Sequence, residues 1–339
     1  MASALPVLWL YGPSGVGKST AGWKLFTRLS GDGVPVAYVD IDYLGMCYGP
    51  PTPENWAPEP ADDPVRHRLK TVNLDAVAAN ARAAGAAGLI VSGIVDPVHG
   101  IDTDLLPNVA LTAIRLRAEP EEIRRRLAVR GRPDEPLDEI LRDAAALDRD
   151  DFPGGGSACV DTTGLGVDEV LAQVREHAEG WLTIHRARVT PSRHRARVTP
   201  SRHEAAPADG SILWLCGPRP AGLSAVGYQV YRQLRLAGSR AAYLDLEQVG
   251  FLRPAGAADP GNHRFKAANL ASVWRTFRAS GADCLVAVGS AEDPEAEAAY
   301  LAALPGVALT VCRANLDPSG RPSVRIAREI LAEITVAYP

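Results

Sequence analysis

Paired cysteines are missing from this chain. Its five cysteines (Cys47, Cys159, Cys216, Cys284 and Cys312) never fall into a C-x-x-C spacing, and none has a histidine at ligand spacing. That pattern argues against a cysteine-based zinc site, and the odd number against a disulfide framework. No apolar run approaches the roughly 18–20 residues that a membrane span needs. The start, MASALPVLWLYG, lacks a basic segment and runs directly into a glycine-rich turn, so it does not read as a secretory leader. A reducing, cytoplasmic setting is therefore expected. An excess of one charge is missing too: 36 Lys and Arg stand against 40 Asp and Glu, a net charge of −4. The chain as a whole is not built to bind a polyanion.

What is present is ordinary globular composition, 46% hydrophobic and 22% charged over 339 residues, which suits two domains better than one. Self-similarity organises it. Residues 8–46, LWLYGPSGVGKSTAGWKLFTRLSGDGVPVAYVDIDYLGM, align without a gap to 213–251, with 14 of 39 positions identical. After a nine-residue deletion, 63–85 align to 259–281 with 11 of 23 identical. Three segments are expected: a first domain over 1–183, a linker over 184–208 and a second domain over 209–339. The linker carries HRARVTPSR twice, at 185–193 and 194–202. No aromatic residue interleaves its arginines, as stacking on nucleic acid requires, so a solvated linker is preferred to a basic binding arm.

Strand and helix signals alternate along the first half. Strands are expected at Pro6–Tyr11, Val36–Asp40, Leu89–Gly93, Val109–Leu116 and Cys159–Asp161. Helices are expected at Gly17–Ser30, Pro64–Ala84, Pro120–Arg130 and Val167–Trp181. Such alternation implies an α/β fold with a parallel sheet and helices on both faces, and the second half repeats the first four strands. Between the first strand and first helix lies Gly12-Pro13-Ser14-Gly15-Val16-Gly17-Lys18-Ser19-Thr20, which fits G-x-x-x-x-G-K-[ST] in the strand–turn–helix setting that the pattern requires. Glycines there let backbone N–H groups converge on phosphate oxygens at a helix N-terminus. Lys18 would reach terminal phosphates and Ser19 a Mg²⁺ ion. The N-K-x-D element of guanine-specific proteins occurs nowhere.

Val39-Asp40-Ile41-Asp42, then Arg66-His67-Arg68 heading an alanine-rich stretch, complete a pattern that resembles the P-loop small-molecule kinases. It is most similar to adenylylsulfate and chloramphenicol phosphotransferase-like kinases, over residues 5–181. The resemblance implies tandem P-loop domains of the nucleoside-monophosphate-kinase type, with ATP and Mg²⁺ as cofactors and a small hydroxylated molecule as the partner. It assigns Gly12, Ser14, Gly15, Val16, Gly17, Lys18, Ser19 and Thr20 to the nucleotide, Ser19 and Asp40 to the metal, and Asp42 to the acceptor hydroxyl. Arg130 and Arg132 would stabilise transfer from a lid over 132–157, and Asp161-Thr162-Thr163-Gly164 would lie near adenine. Asp40 and Asp42, two apart at the end of one strand, are expected on one face; one of them capping the next turn is the plainer alternative. Arg66, Arg68 and Lys70 either clamp an anionic acceptor or form a solvated helix face.

The sequence also departs from the resemblance. Tyr43 follows the second carboxylate where adenylylsulfate kinases have Asn, Asp96-Pro97-Val98-His99 follows the third strand, and the Pro-rich insert Gly49–Pro60 with Trp56 is expected over the acceptor side. In the second half Gly217–Ser224 has Leu223 in place of the lysine, and the arginine-rich helix has no counterpart. Asp245, Glu247, His263, Arg264, Lys266 and Asn269 nevertheless match Asp40, Asp42, His67, Arg68, Lys70 and Asn73. That half is expected to be a pseudokinase, either a scaffold or an acceptor-like pocket. No nucleic acid and no membrane partner is expected, and homo-oligomerisation stays open. The competing function is a nucleotide-binding regulatory or interaction protein without an acceptor.

Overall fold

A computed structural model describes residues 4–130, 137–149, 152–153, 158–182, 210–217, 222–290, 294–313 and 323–337. Among these no helix is long and apolar enough to cross a membrane. The chain divides into two compact units. The first comprises the described residues within Met1–Asp42, Lys70–His194 and Phe251–Ala255; the second comprises those within Tyr43–Leu69, Arg195–Gly250 and Gly256–Pro339.

In chain order the elements of the first half are β1 (Leu5–Tyr11), α1 (Lys18–Gly31), β2 (Val36–Asp40), β3 (Cys47–Tyr48), α2 (His67–Ala83), β4 (Gly88–Gly93), β5 (Val109–Arg117), α3 (Pro120–Arg130), α4 (Leu137–Leu147), β6 (Ala158–Asp161) and α5 (Val167–His177). Those of the second are β7 (Ser211–Cys216), α6 (Leu223–Leu236), β8 (Ala241–Asp245), β9 (Phe251–Arg253), α7 (His263–Ala279), β10 (Cys284–Gly289), α8 (Pro294–Ala303), β11 (Ala308–Arg313) and α9 (Ser323–Ala337).

The sheet of the first unit has the order β6-β5-β1-β4-β2-β9. All neighbours are parallel except β2 and β9, which run antiparallel with Val36, Ala37 and Tyr38 opposite Arg253, Leu252 and Phe251. The central strands are buried on both faces, as the near-continuous apolar runs of β1 and β4 require. On one face Leu8 and Leu10 of β1, Ile90 of β4 and Ile114 of β5 pack with Leu25 and Phe26 of α1, Ile123 of α3 and Val174 of α5. Strand β9 brings Phe251 against Trp23, Phe26 and Tyr38, with ring centroids 4.8–6.2 Å apart. This arrangement falls in the distance range where aromatic pairs add to plain area burial.

The sheet of the second unit has the order β11-β7-β10-β8-β3. It is parallel apart from β3, whose Cys47 and Tyr48 face Ala242 and Ala241 of β8. Its core gathers Leu215, Val230, Tyr231, Tyr243, Val286 and Val288.

Two expectations need correction. Contiguous domains over 1–183 and 209–339 do not describe the compact units, because equivalent strands are exchanged. Carrying the internal alignment past its last aligned pair sets Cys47 and Tyr48 against Leu252 and Arg253, yet β3 joins the second unit and β9 the first. The stretch 132–157, expected to be a lid, contains α4, whose Ile140 and Leu147 are buried; Ile140 belongs to the core of the first unit. The duplicated nonapeptide of 185–202 lies outside the described residues.

Candidate functional site

Parallel strands carry their ligand-facing chemistry at their C-terminal ends, and the register of the first unit brings three such ends level. Tyr11 of β1 lies beside Gly93 of β4, and Ser92 of β4 beside Asp40 of β2. The Gly12–Thr20 loop leaves β1 at that edge and enters α1. Gly12 has φ +144°, and a Cβ added there would meet the Leu116 carbonyl oxygen at 2.1 Å, so only glycine fits. Gly17 takes the left-handed conformation directly before α1.

Lys18, the first residue of α1, is buried at 8% exposure, and its Nζ donates to the Pro13 carbonyl at 2.7 Å. Burial pushes its ammonium down from 10.5 to about 8, against the pull of Asp42 and Asp40; Arg130, at the end of α3, adds a like charge in the same downward sense. Ser19 Oγ donates to Asp40 Oδ2 at 2.9 Å, and the fully buried Ser92 Oγ reaches the same oxygen at 3.1 Å. Ser92 was not singled out from the sequence, where it reads as one more strand residue. Burial first, and then the charge of Asp42, hold Asp40 above its ordinary pKa.

The strand-face argument for Asp40 and Asp42 does not hold as stated. Strand β2 ends at Asp40, and Ile41–Leu44 form a 3₁₀ turn. Asp40 caps that turn by accepting the Asp42 N–H at 3.1 Å while also accepting from Ser19 Oγ, so the plainer role expected for it is met. Asp42 is half-exposed and accepts from Lys70 Nζ at 2.7 Å, and Lys70 is itself buried. Lys70 therefore points toward the carboxylate and not to a solvated helix face.

Arg66 and Arg68 part company with Lys70. Arg66 is 2% exposed; its guanidinium donates through Nε to the Cys47 carbonyl at 2.9 Å and through Nη2 to the same oxygen, with the Tyr48 ring beneath. This protein-internal engagement differs from the expected clamp on an acceptor. Arg68 is exposed, and its backbone N–H is capped by Asp63 at 2.8 Å. The insert Gly49–Pro60 belongs to the second unit, where Trp56 lies against Arg232 and Arg235. Arg130 is exposed at the end of α3, and Arg132 lies outside the described residues.

A brace behind the loop escaped the sequence reading. Arg126 of α3 donates to Gly15 O at 3.3 Å, to Thr162 Oγ1 at 2.9 Å and to Thr162 O at 2.6 Å. Thr162 is fully buried, and its hydroxyl lies 3.2 Å from Val16 O and 3.0 Å from Arg117 O. Arg126 also pairs with Glu122 at i,i+4 spacing, 2.7 Å, a local helix pair, whereas its partners Gly15 and Thr162 lie 111 and 36 residues away in the chain.

Mg²⁺ is ordinarily held by one or two protein oxygens together with phosphate oxygens and waters. Ser19 and Asp40, one hydroxyl and one carboxylate already in contact, match that demand, and a desolvated Lys18 in a positive-φ glycine loop matches phosphate. Among the described residues no group of three or more His, Cys, Asp or Glu suits a metal held by protein alone.

The second unit repeats part of the arrangement. Ser224 Oγ donates to Asp245 Oδ2 at 2.6 Å and Lys266 Nζ to Glu247 Oε2 at 2.8 Å, the counterparts of Ser19–Asp40 and Lys70–Asp42. Ser290 Oγ adds a contact to Glu247 Oε1 at 2.7 Å. Burial works against the Glu247 charge, but Lys266 and Ser290 hold its pKa below the ordinary value. Leu223, buried, stands where the first unit has Lys18.

No protein-family profile and no curated protein matches the chain. Solved structures do. The tunicamycin resistance protein of Deinococcus radiodurans is 22% identical with a TM-score of 0.36, over 52% of this chain and 96% of that one. A sugar kinase from Janibacter sp. HTCC2649 is 18% identical at 0.35, over 56% and 99%. A gluconokinase from Sinorhizobium meliloti 1021 is 16% identical at 0.34, over 55% and 99%. Each is a likeness over about half of this chain. The class defined by the coordinates is that of an α/β protein with two mainly parallel sheets. Within it, the particular feature of this chain is a glycine-rich strand–loop–helix in the first unit with a buried lysine, a hydroxyl and two carboxylates at one sheet edge.

Proposed function

We propose that the first half transfers a phosphoryl group from Mg·ATP to a hydroxyl of a small molecule, and that the second half is a degenerate copy without that activity. The observation that carries this reading is the convergence of Lys18, Ser19–Asp40 and Asp42–Lys70 at one end of one parallel sheet. The amides of Ser14 to Thr20 and the Lys18 ammonium hold the phosphates. Ser19 and Asp40 hold Mg²⁺, which when bound neutralises phosphate charge. Asp42 orients the acceptor hydroxyl and takes its proton, and Lys70 fixes that carboxylate in place. Arg130 and Arg132 supply positive charge to the transferring group. In the second half Leu223 removes the ammonium, and Pro218 and Pro220 remove N–H donors from the loop, so phosphate binding is lost there.

The test is acceptor-dependent ADP release by the full chain with Mg·ATP. A panel would include adenylylsulfate, nucleosides, sugar acids and hydroxylated antibiotics. Release that vanishes in Lys18→Ala, and that Asp42→Ala abolishes while nucleotide binding persists, is the expected result. Nucleotide binding that survives Asp42→Ala with no dependence on any acceptor would replace the kinase by a nucleotide-controlled interaction protein.

A further inference from the structure

Neither half of the sequence completes its own sheet. Residues 43–69 of the first half lie in the second unit, and residues 251–255 of the second half lie in the first. The chain therefore passes between the units at Asp42–Tyr43, Leu69–Lys70, Gly250–Phe251 and Ala255–Gly256, in addition to the stretch that joins the halves. Each exchanged piece supplies an edge strand, β9 beside β2 in the first unit and β3 beside β8 in the second.

Strands of three and two residues make too few ladder bonds to hold an edge by backbone alone. Side chains supply the rest, and they differ between the units. In the first unit Phe251 sits among Trp23, Phe26 and Tyr38, Leu252 is buried, and Ser30 Oγ donates to the Arg253 carbonyl at 3.4 Å. In the second unit Cys47 is fully buried, Met46 and Tyr48 pack against the core, and the Met46 carbonyl accepts the Tyr243 N–H at 2.8 Å. Arg235 of α6, 1% exposed, donates through Nε to Gly49 O at 3.0 Å and through Nη2 to Trp56 O. Its guanidinium also lies over the rings of Tyr48 and Trp56 at 5.5 and 4.9 Å. A buried charge needs such partners, and both carbonyls come from the first half of the chain. The return leg of the exchanged segment adopts left-handed backbone at Val65 (φ +54°) and Arg66 (φ +57°). That conformation is unfavourable for a β-branched valine and persists only where the surroundings over-determine it. The bonds from buried Arg66 to the Cys47 carbonyl are such surroundings.

We infer that the two halves of the sequence are obligate partners: each supplies the edge strand that finishes the other's sheet, so a chain cut between them stays one non-covalent particle. The second half thereby serves the first through β9, which covers the edge of β2, the strand that ends at Asp40. No kinase activity is needed in either half for this, and no nucleotide enters the test. A site for a sequence-specific protease is inserted into the full chain between Arg193 and His194, the junction of the two nonapeptide copies. After complete cleavage, fragments 1–193 and 194–339 are expected to co-elute from a size-exclusion column at the volume of the uncut protein. Cut protein labelled with heavy nitrogen is then mixed with unlabelled cut protein. The rate at which hybrid particles appear in native mass spectrometry gives the rate at which the halves part. Phe251→Ala empties the aromatic pocket, and Arg235→Gln deprives the Gly49 and Trp56 carbonyls of their charged donor. Each is expected to speed hybrid formation by at least about tenfold. Val174→Ala, a truncation elsewhere in the core of the first unit, is expected to leave the rate unchanged. Circular dichroism of the uncut variants checks that each folds; if one does not, Phe251→Leu or Arg235→Lys takes its place. Fragments that separate on cleavage overturn the proposal. So does co-elution with a hybrid rate that neither exchange-site variant raises, because a surface other than the exchanged strands would then hold the halves. An equal rise in Val174→Ala overturns it too, since general loosening of a unit would then account for the parting.

Discussion

Replacing Lys18 by methionine is expected to stabilise the protein at neutral pH and to remove its response to nucleotide. The magnitude follows from the burial of the ammonium. Its pKa lies at about 8 in place of 10.5. At 1.36 kcal/mol for each pH unit between the two values, carrying the charge in the folded state costs about 3 kcal/mol. Below pH 8 the lysine is protonated in both states and the cost is present in full. Between pH 8 and about 10.5 the folded protein has released the proton while the unfolded chain still holds it, so wild-type stability rises with pH through that window. Lys18→Met lacks this slope, because it has no proton to release. Urea unfolding of both proteins at pH 7, 8, 9 and 10 reads the difference directly, since other groups that titrate in the window cancel between them. The variant should be the more stable at pH 7, by up to about 3 kcal/mol, with the gap closing steadily above pH 8. Saturating Mg·ATP at about 100 times Kd should add about 2.7 kcal/mol to the wild type and nothing to the variant. A gap that stays constant from pH 7 to pH 10 would refute the desolvation argument.

Asp40→Asn tests the sign of the other buried charge. Its pKa is raised, so its carboxylate lowers stability above that folded value, and the loss disappears on acidification below about pH 4; the variant should match or exceed wild type in urea at pH 7 while losing Mg²⁺ dependence of nucleotide binding. Thr162→Val leaves Arg126 without the hydroxyl behind the loop and should cost about 1–3 kcal/mol in chemical unfolding, with weakened nucleotide affinity in a fluorescent-analogue titration. Phe251→Ala removes the ring that β9 packs on Trp23, Phe26 and Tyr38, and a loss of about 2–4 kcal/mol should appear in the unfolding of the first unit, followed by amide exchange in α1 and β2.

Elements whose identity is decided locally were legible in the sequence. The apolar run of β1, the glycine loop and the start of α1 are dictated by residues adjacent in the chain, and the boundaries of α3 agree to the residue. Helix α4 was missed because the Asp, Glu and Pro residues around it read as breaks, while Ile140 and Leu147 supply a buried stripe too short to stand out. Ser19 and Asp40 meet because the loop that leaves β1 enters α1 beside the end of β2, which the parallel order places level with the ends of β1 and β4. Ser92 and Thr162 were not legible as site residues, because what gives them a role is a partner 52 and 36 residues away.

The exchange of β3 and β9 shows why an internal repeat carries less information about partners than about shape. Both strands are short, both follow a β-strand and a turn, and each pairs antiparallel with a strand of the other half of the sequence, β3 with β8 and β9 with β2. Nothing in a period-two pattern distinguishes Ala37 from Ala242 as the residue opposite. What breaks the symmetry is long-range side-chain chemistry. Phe251 has a pocket of Trp23, Phe26 and Tyr38, whereas Tyr48 lies under Arg235 and Arg66. Trp23 is matched in the second half by Tyr228 and Phe26 by Tyr231, so the rings persist while the arginine Arg235 replaces Ser30 at the equivalent helix position. That difference places a buried cation beside β3, whereas Ser30 at the equivalent position donates to the Arg253 carbonyl of β9 at 3.4 Å. Leu223 stands in the second half where the first has Lys18, and Arg235 of that half meets two carbonyls, those of Gly49 and Trp56, that belong to the first half of the chain.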